Sequence, residues 1–363
     1  MSNSLQIEIL QGEEQFYELR GEWTTLLSAD FNSTAFQLWE FLYPHWKYRK
    51  SGRQLYLLTG RSEEGQLQVI APFWRQIVKK GISLKMLEFI GTRGLDYLDF
   101  IVSSEVNKEQ ALKSTVSYLM SNKNDWDVIS LSELRKDSKD LIISMLNELG
   151  IEYALSECST CVRVALPDNW EDYKKSLGRS TRKDLNYDEN RLDKAFNVDF
   201  AVRAENTQDL SEMVNELQEI HQNRWVQAGG KGAFYQGWMK SLDGDIVKGC
   251  ADRGVLRYFA LYVDGRPVAG LSGFSLRDII YTHTMSVSMD EKYRKFSIGN
   301  VLLQKALKWS IENGYRIFDL SRGDEQYKFK FGGKAYSNYR LDIHKNIIWK
   351  NILNLGRRLY KVI

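Results

Sequence analysis

Chemically capable side chains crowd together near the end of this chain. Asp319, Arg322, Asp324, Glu325, Tyr327 and Lys328 follow the apolar residues Ile317, Phe318 and Leu320, with Gly323 among them. A carboxylate can take a proton and a phenol can give one. Guanidinium and ammonium groups can hold an anion or polarise a carbonyl. Asp319, at the end of an apolar run, is expected to be buried, which would raise its pKa toward a range useful for a general base. Asp324, His221 and His283 are the other base candidates. A charge run of this kind is more often a solvated, salt-bridged loop. The aromatic and glycine residues within this one argue for a site.

Two further segments carry candidates. His221 shares helical spacing with Leu217, Arg224 and Trp225. A lone histidine is as readily a structural residue as a base. His283 lies between Thr282 and Thr284 in a β-branched and aromatic run, where alternation puts it on one face with Tyr281 and Met285. Upstream of the polar cluster, Arg294, Ser297, Ile298, Gly299 and Asn300 open an apolar stretch with recurrences at three and four. A helix starting there presents unpaired amides and a favourable dipole to an anion. The plainer alternative is a helix N-terminus capped by Ser297.

These candidates need positioning elements. The pattern predicts strands at 255–263, 266–275 and 279–286, a helix at 298–313 and a strand at 316–320. A basic helix-prone segment (170–194), a strand (197–202) and a long helix (207–227) precede them. The interval from 202 to 255 has room for one long helix rather than a helical pair. The first half reads as a strand (5–10), a helix (13–27), an aromatic segment, strands at 55–59, 66–76 and 84–90, a helix (108–120), a strand (128–131) and a helix (138–149). Such alternation predicts a mixed α/β fold. At 363 residues, two domains are expected, with a boundary at 150–170.

The spacing Arg294-x-x-Ser297-x-Gly299 resembles the pyrophosphate loop of GNAT acyltransferases, with Ser297 in place of the first glycine. That replacement is tolerated if the position needs no positive φ. Asp319, Arg322, Gly323, Tyr327, Lys328 and Phe331 resemble a narrower pattern, that of CelD-like acetyltransferases of cellulose and exopolysaccharide biosynthesis, which are related to Fem-type aminoacyl transferases. His221, Arg224 and Trp225, the hairpin at 263–274, the basic segment at 175–194, and 70–76 and 91–100 in the first half resemble further parts of that family.

The resemblance implies tandem GNAT-like domains at 1–155 and 156–345, with acetyl-CoA or another acyl-CoA as co-substrate and no metal. It assigns Arg294, Ser297, Ile298, Gly299, Asn300 and Lys328 to the cofactor. Asp319, Arg322, Tyr327 and His221 are the expected catalytic residues. Asp96, Tyr97, Asp99, Arg224, Trp225 and His283 are expected to bind the acceptor, an amino sugar, sugar nucleotide or similar molecule. Asp96, Tyr97 and Asp99 are equally readable as turn residues. The alternatives are an aminoacyl-tRNA-dependent transferase and a non-catalytic binding protein on the same fold.

Composition limits the classes. The chain is 43% hydrophobic and 27% charged, and its net charge of +3 is too small to argue for DNA. Its start lacks the pattern of a secretory signal, so a cytoplasmic protein is expected. Of the three cysteines, Cys158 and Cys161 form a lone C-x-x-C without histidines nearby, read as two reduced thiols beside a strand. The basic segment holding Lys174, Lys175, Arg179, Arg182, Lys183 and Arg191 could hold phosphates or RNA, or be a solvated face. Residues 346–363 read as an amphipathic basic helix, packed on its domain or in peripheral contact with a membrane.

Overall fold

The computed structural model describes residues 5–80 and 82–345; the helix expected at 346–363 lies outside them. The first half of the chain contains β1 (Gln6–Leu10), α1 (Glu13–Glu18), α2 (Arg20–Ala29), α3 (Trp39–Arg49), β2 (Arg53–Arg61), β3 (Leu67–Lys80), β4 (Ile82–Phe89), β5 (Ile101–Val102), α4 (Lys108–Ser121), β6 (Val128–Leu134) and α5 (Lys136–Glu148). The second contains β7 (Tyr153–Ala165), α6 (Trp170–Ser176), α7 (Arg179–Ala195), β8 (Val198–Arg203), α8 (Gln208–Gln227), α9 (Gly237–Asp252), β9 (Leu256–Val263), β10 (Arg266–Leu276), β11 (Ile279–Val287), α10 (Ile298–Glu312), β12 (Ile317–Arg322), α11 (Gln326–Lys330) and β13 (Lys334–His344).

The chain divides into two compact units. One runs to Ser159 and resumes at Ser337; the other is Thr160–Tyr336. In the first, the strand order is β1-β2-β3-β4-β6-β13, with β5 beside β3. Only the β4–β6 pair is parallel. In the second, the order is β7-β12-β11-β10-β9-β8. There only β11 and β12 run parallel, joined by the crossover helix α10. Both sheets are mixed and flanked by helices, the expected fold class.

Several elements go beyond the sequence reading. The return of β13 to the first unit, antiparallel to β6, was not anticipated. Only its far end, Leu341 and Ile343, is strongly apolar, so periodicity gives a weak signal. β7 is interrupted by the polar stretch Ser156 to Thr160, and pairing with β12 defines the course of its second part. Cys158 and Cys161 lie on this strand, and no disulfide joins them. The interval from 202 to 255 holds two helices, α8 and α9, where one was expected. No helix among the described residues is long and apolar enough to cross a membrane.

The core of the second unit fixes α10 firmly. Val301, Leu302, Leu303, Ala306, Leu307 and Ile311 are buried against Phe259, Leu261, Val268, Leu271, Ile280 and Phe318 from the sheet. Each such aliphatic side chain contributes about 1.5–3 kcal/mol on burial. The N-terminus of α10 is therefore held in place beside β11.

Candidate functional site

β11 and β12 pair over a short register, from Ile279 opposite Ile317 to Tyr281 opposite Asp319. In open α/β sheets, ligands favour the crevice beyond the carboxyl ends of parallel strands. A pocket of about 510 Å³ lies there, wholly within the second unit. β11 and the turn after it supply Met285, Val287, Ser288 and Met289. The loop into α10 supplies Tyr293, Arg294, Ser297, Ile298, Gly299 and Asn300. α8 gives His221, Arg224 and Trp225, and the segment after β12 gives Glu325 and Tyr327.

A β-bulge re-aims β11 at this point. Leu271 of β10 faces Met285, but Gly273 faces Thr282, so β11 carries one residue more. The Thr284 amide donates to Ser272 Oγ at 2.9 Å. The bulge breaks the alternation that put His283 and Met285 on one face. Met285 lines the pocket; His283 lies in the field of the buried Asp243 instead and is absent from the lining.

His221 lines the pocket with its ring held by a backbone carbonyl. Its Nδ1 lies 3.1 Å from the Met285 carbonyl oxygen. A carbonyl only accepts, so Nδ1 carries the hydrogen and Nε2 is left as the acceptor. Nε2 is out of solvent contact and has no hydrogen-bond partner among the described residues. Phe234 packs edge-on against the ring at 5.2 Å, and Trp225 flanks it. Burial, and then Arg224, push the His221 pKa below its ordinary 6.5, with the Met285 bond opposing, so the neutral base dominates at neutral pH.

Tyr327 lines the same pocket. Burial, reinforced by Glu325 and opposed by Arg224, pushes its phenol up to about 12. It stays protonated and can donate. Arg224 acts electrostatically on both His221 and Tyr327.

The N-terminus of α10 has the character of an anion seat. The Asn300 and Val301 amides are tied to the Ser297 carbonyl, at 2.8 and 3.1 Å. Among the described residues, the Ile298 and Gly299 amides have no backbone partner. They are the open donors, whereas the amide of Asn300, which also lines the pocket, is already engaged. Gly299 permits close approach to β11: a Cβ there would meet Val287 Cγ2 at 3.2 Å and Met285 Cε at 3.3 Å. Arg294 is 73% exposed and paired at 3.1 Å with the still more exposed Glu291. Exposed pairs are worth about 0–1 kcal/mol, so the guanidinium is easily redirected.

Ser297 departs from expectation. Its φ is +51°, so the position does need the left-handed region. A side chain there costs roughly 1–2 kcal/mol that glycine would not. Ser297 does not cap α10; its hydroxyl engages Asp188, a partly buried carboxyl that burial pushes up.

Three expected roles change. Asp319 is fully buried, outside the pocket lining, and ion-paired with Arg163 Nε at 2.7 Å. Its Oδ1 accepts from the Ser321 amide at 2.8 Å, at a residue with φ of +54°, while Ser321 Oγ donates to the Thr282 carbonyl. Asp319 thus holds the turn at the end of β12 rather than facing substrate. Lys328 is also buried. Its ammonium donates to the Arg322 and Gly323 carbonyls at 2.6 and 3.2 Å and pairs with Glu325 at 3.0 Å. Those bonds fold the loop and leave the ammonium engaged away from any phosphate. Arg322 is exposed and absent from the pocket lining, as is Asp324.

In the first unit, Asp96, Tyr97 and Asp99 are buried. Asp99 accepts from Ser138 Oγ and the Phe100 amide, and Tyr97, at φ +52°, packs 6.0 Å from Phe36. The turn reading fits them; an exposed acceptor surface does not. Met285, Met289, Tyr293 and Glu325 are pocket residues that the sequence reading missed. The bulge in β11 turns Met285 toward the pocket, and the turn after that strand and the loop into α10 bring Met289 and Tyr293. Among the described residues, no cluster of three or more His, Cys, Asp or Glu is placed to hold a metal.

The profile of the acetyltransferase (GNAT) domain family matches residues 179–329, which span the whole pocket lining. No curated protein matches the chain in sequence. Among solved structures, FemX is similar at a TM-score of 0.66 and 13% identity, over 92% of this chain and 98% of FemX. L-PGS from Bacillus licheniformis is similar at 0.56 and 11%, over 94% and 96%. A conserved protein of unknown function from Bacteroides thetaiotaomicron is similar at 0.58 and 9%, over 93% and 100%. At these identities the likeness is one of fold.

Proposed function

We propose that the chain is an acyltransferase that takes an acyl group from an acyl-CoA and places it on the amine of a small acceptor. One observation carries the reading: a single pocket joins an unpartnered His221 Nε2, a protonated Tyr327 and the open amides of α10. The acceptor class we favour is an amino sugar or a related precursor of cell-surface polysaccharide, in a cytoplasmic setting where acyl-CoA is the donor. That choice rests on the resemblance of the 319–331 segment to CelD-like enzymes.

The residues fit such a donor. The Ile298 and Gly299 amides, with Arg294, would hold its pyrophosphate, since a helix N-terminus favours negative charge. The donor supplies a thioester carbonyl and a thiol leaving group. When the acceptor nitrogen attacks, a C–N bond forms and the C–S bond breaks. His221 Nε2 takes the proton that the nitrogen loses, and the Nδ1 bond to Met285 fixes its tautomer. Tyr327 donates to the departing sulfur and is reprotonated from the imidazolium through solvent, giving amide and free thiol. The mostly apolar wall of Trp225, Met285 and Val287 keeps water from competing with the amine.

A second reading is aminoacyl transfer from tRNA, of the Fem type. The helical pair α8–α9 and the extent of the likeness to FemX favour it. Turnover decides between them. The full chain with acetyl-CoA and glucosamine or its phosphate should release free thiol at a rate that falls about 100-fold or more in Tyr327→Phe. No thiol release with any amine, together with transfer from charged tRNA, would replace the first reading with the second.

A further inference from the structure

A second polar cluster, on the first unit, is left unused by this chemistry. Trp74 on β3 lies opposite Glu88 on β4, and Arg53 on β2 lies opposite Gln76 on β3. The Arg49 guanidinium, from the last turn of α3, sits 5.0 Å from the Trp74 ring, and that of Arg53 sits 4.5 Å from it. Arg93, in the loop after β4, reaches the same place and pairs with Glu88 Oε1 at 3.8 Å. Arg49, Arg53 and Arg93 thus gather beside Trp74 and act electrostatically with Glu88, on which Arg340 of β13 also acts.

The fold accounts for only part of this. Arg49 donates to the Thr92 carbonyl at 2.9 Å, and Arg53 to the Arg49 carbonyl at 2.6 Å, which ties down the end of α3. Those bonds do not require a third cation. Glu88 is an incomplete counter-charge: it is 3% exposed, already accepts from Gln76, and burial pushes its pKa up. The crowding is felt electrostatically. Burial, and then Arg53, lower Arg49 to about 10, and burial with Arg93 lowers Arg53. Arg53 Nε is buried with no acceptor among the described residues.

Arg93 itself is the informative residue. Its φ is +67°, and its side chain is 70% exposed. Left-handed backbone costs a non-glycine residue roughly 1–2 kcal/mol, and such strain collects where a ligand is held. Glycine would make the turn without that cost, as it does at Gly91 in the same loop. An exposed arginine at this position adds only a long, weak contact to Glu88. It does add a third guanidinium to the two stacked on Trp74, and clustered guanidiniums are suited to taking a phosphoryl group through paired N–H donors.

We propose that Arg49, Arg53 and Arg93 form a binding site on the first unit for a phosphate group, free or carried by a larger molecule. Glu88 acts there as a weak internal competitor that holds Arg93 when the ligand is absent.

Calorimetric titration of the full chain with inorganic phosphate and with glucose 1-phosphate tests this. Binding should weaken at least about tenfold in Arg93→Ala, the loss of a charge-assisted bond. It should tighten in Glu88→Gln, which keeps the shape and removes the competing charge. It should be unchanged in Arg294→Ala, which alters only the pocket of the second unit. Equal affinity for the two probes assigns the site to free phosphate. Tighter glucose 1-phosphate assigns it to a phosphoryl group on a larger ligand. Absence of binding, binding indifferent to Arg93→Ala, or binding lost only in Arg294→Ala overturns the proposal. Because Arg93 is exposed, its removal leaves the fold intact, and the opposite response of Glu88→Gln separates ligand binding from general damage.

Discussion

His221 and Asp319 show how burial alone fails to identify a base. Asp319 is fully buried, against a cation and a turn amide, whereas His221 is half-buried and its Nε2, out of solvent contact, meets nothing that donates. The two predictions diverge. Asp319→Asn should act through stability. Breaking one side of a buried pair costs about 3–5 kcal/mol, so thermal denaturation should show a large drop. His221→Gln should leave the melting temperature nearly unchanged and lower kcat/KM by about 100- to 10,000-fold. The pH profile gives the sign. Only neutral His221 accepts a proton, and its pKa is lowered, so wild-type kcat/KM should be flat above pH 6.5 and fall on an acid limb below it. That limb should vanish in His221→Gln. A variant that keeps the limb, or an Asp319→Asn that loses turnover without losing stability, would reverse the two roles.

At the scale of elements, α10 and β11 make the site by close approach, and Gly299 permits it. Gly299→Val should press on Val287 and Met285, costing about 1–3 kcal/mol in stability, and should narrow the pocket where the open amides lie. Acetyl-CoA affinity measured by calorimetry should fall more than tenfold, and Gly299→Ala should fall in between. The helix was legible in the sequence because its apolar residues recur at three and four around a firm core. So was the strand before it. The β11 bulge was not legible, since strict alternation is the assumption that a bulge violates. That is why alternation put His283 and Met285 on one face, although only Met285 lines the pocket. Lys328 was assigned to the cofactor by resemblance, and nothing in its sequence neighbourhood shows that the carbonyls of its own loop surround its ammonium. The left-handed backbone at Ser297 was likewise invisible, because serine gives no sign of positive φ.

At the scale of the whole chain, the order of mixed α/β elements was readable. The first unit runs to Ser159 and takes the chain back from Ser337, a return that periodicity does not signal. β13 is short of apolar residues, and its place in the first unit depends on long-range pairing with β6 and on contacts such as Asn338 donating to the buried Glu133 at 3.1 Å. Residues 1–159 alone should therefore fail to fold cooperatively, whereas adding residues 337–345 through a flexible linker should restore a protease-resistant unit. A stable 1–159 fragment would show that β13 is dispensable. The net charge of +3 is too small to draw anionic ligands from a distance, so the phosphate recognition proposed at α10 and at the arginine cluster would have to be local. The most direct test of the central claim is calorimetric titration of the full chain with acetyl-CoA. The account predicts one saturable site per chain in the micromolar range, lost in Gly299→Val and retained in Arg93→Ala. No heat with acetyl-CoA, or binding indifferent to Gly299→Val, would contradict it.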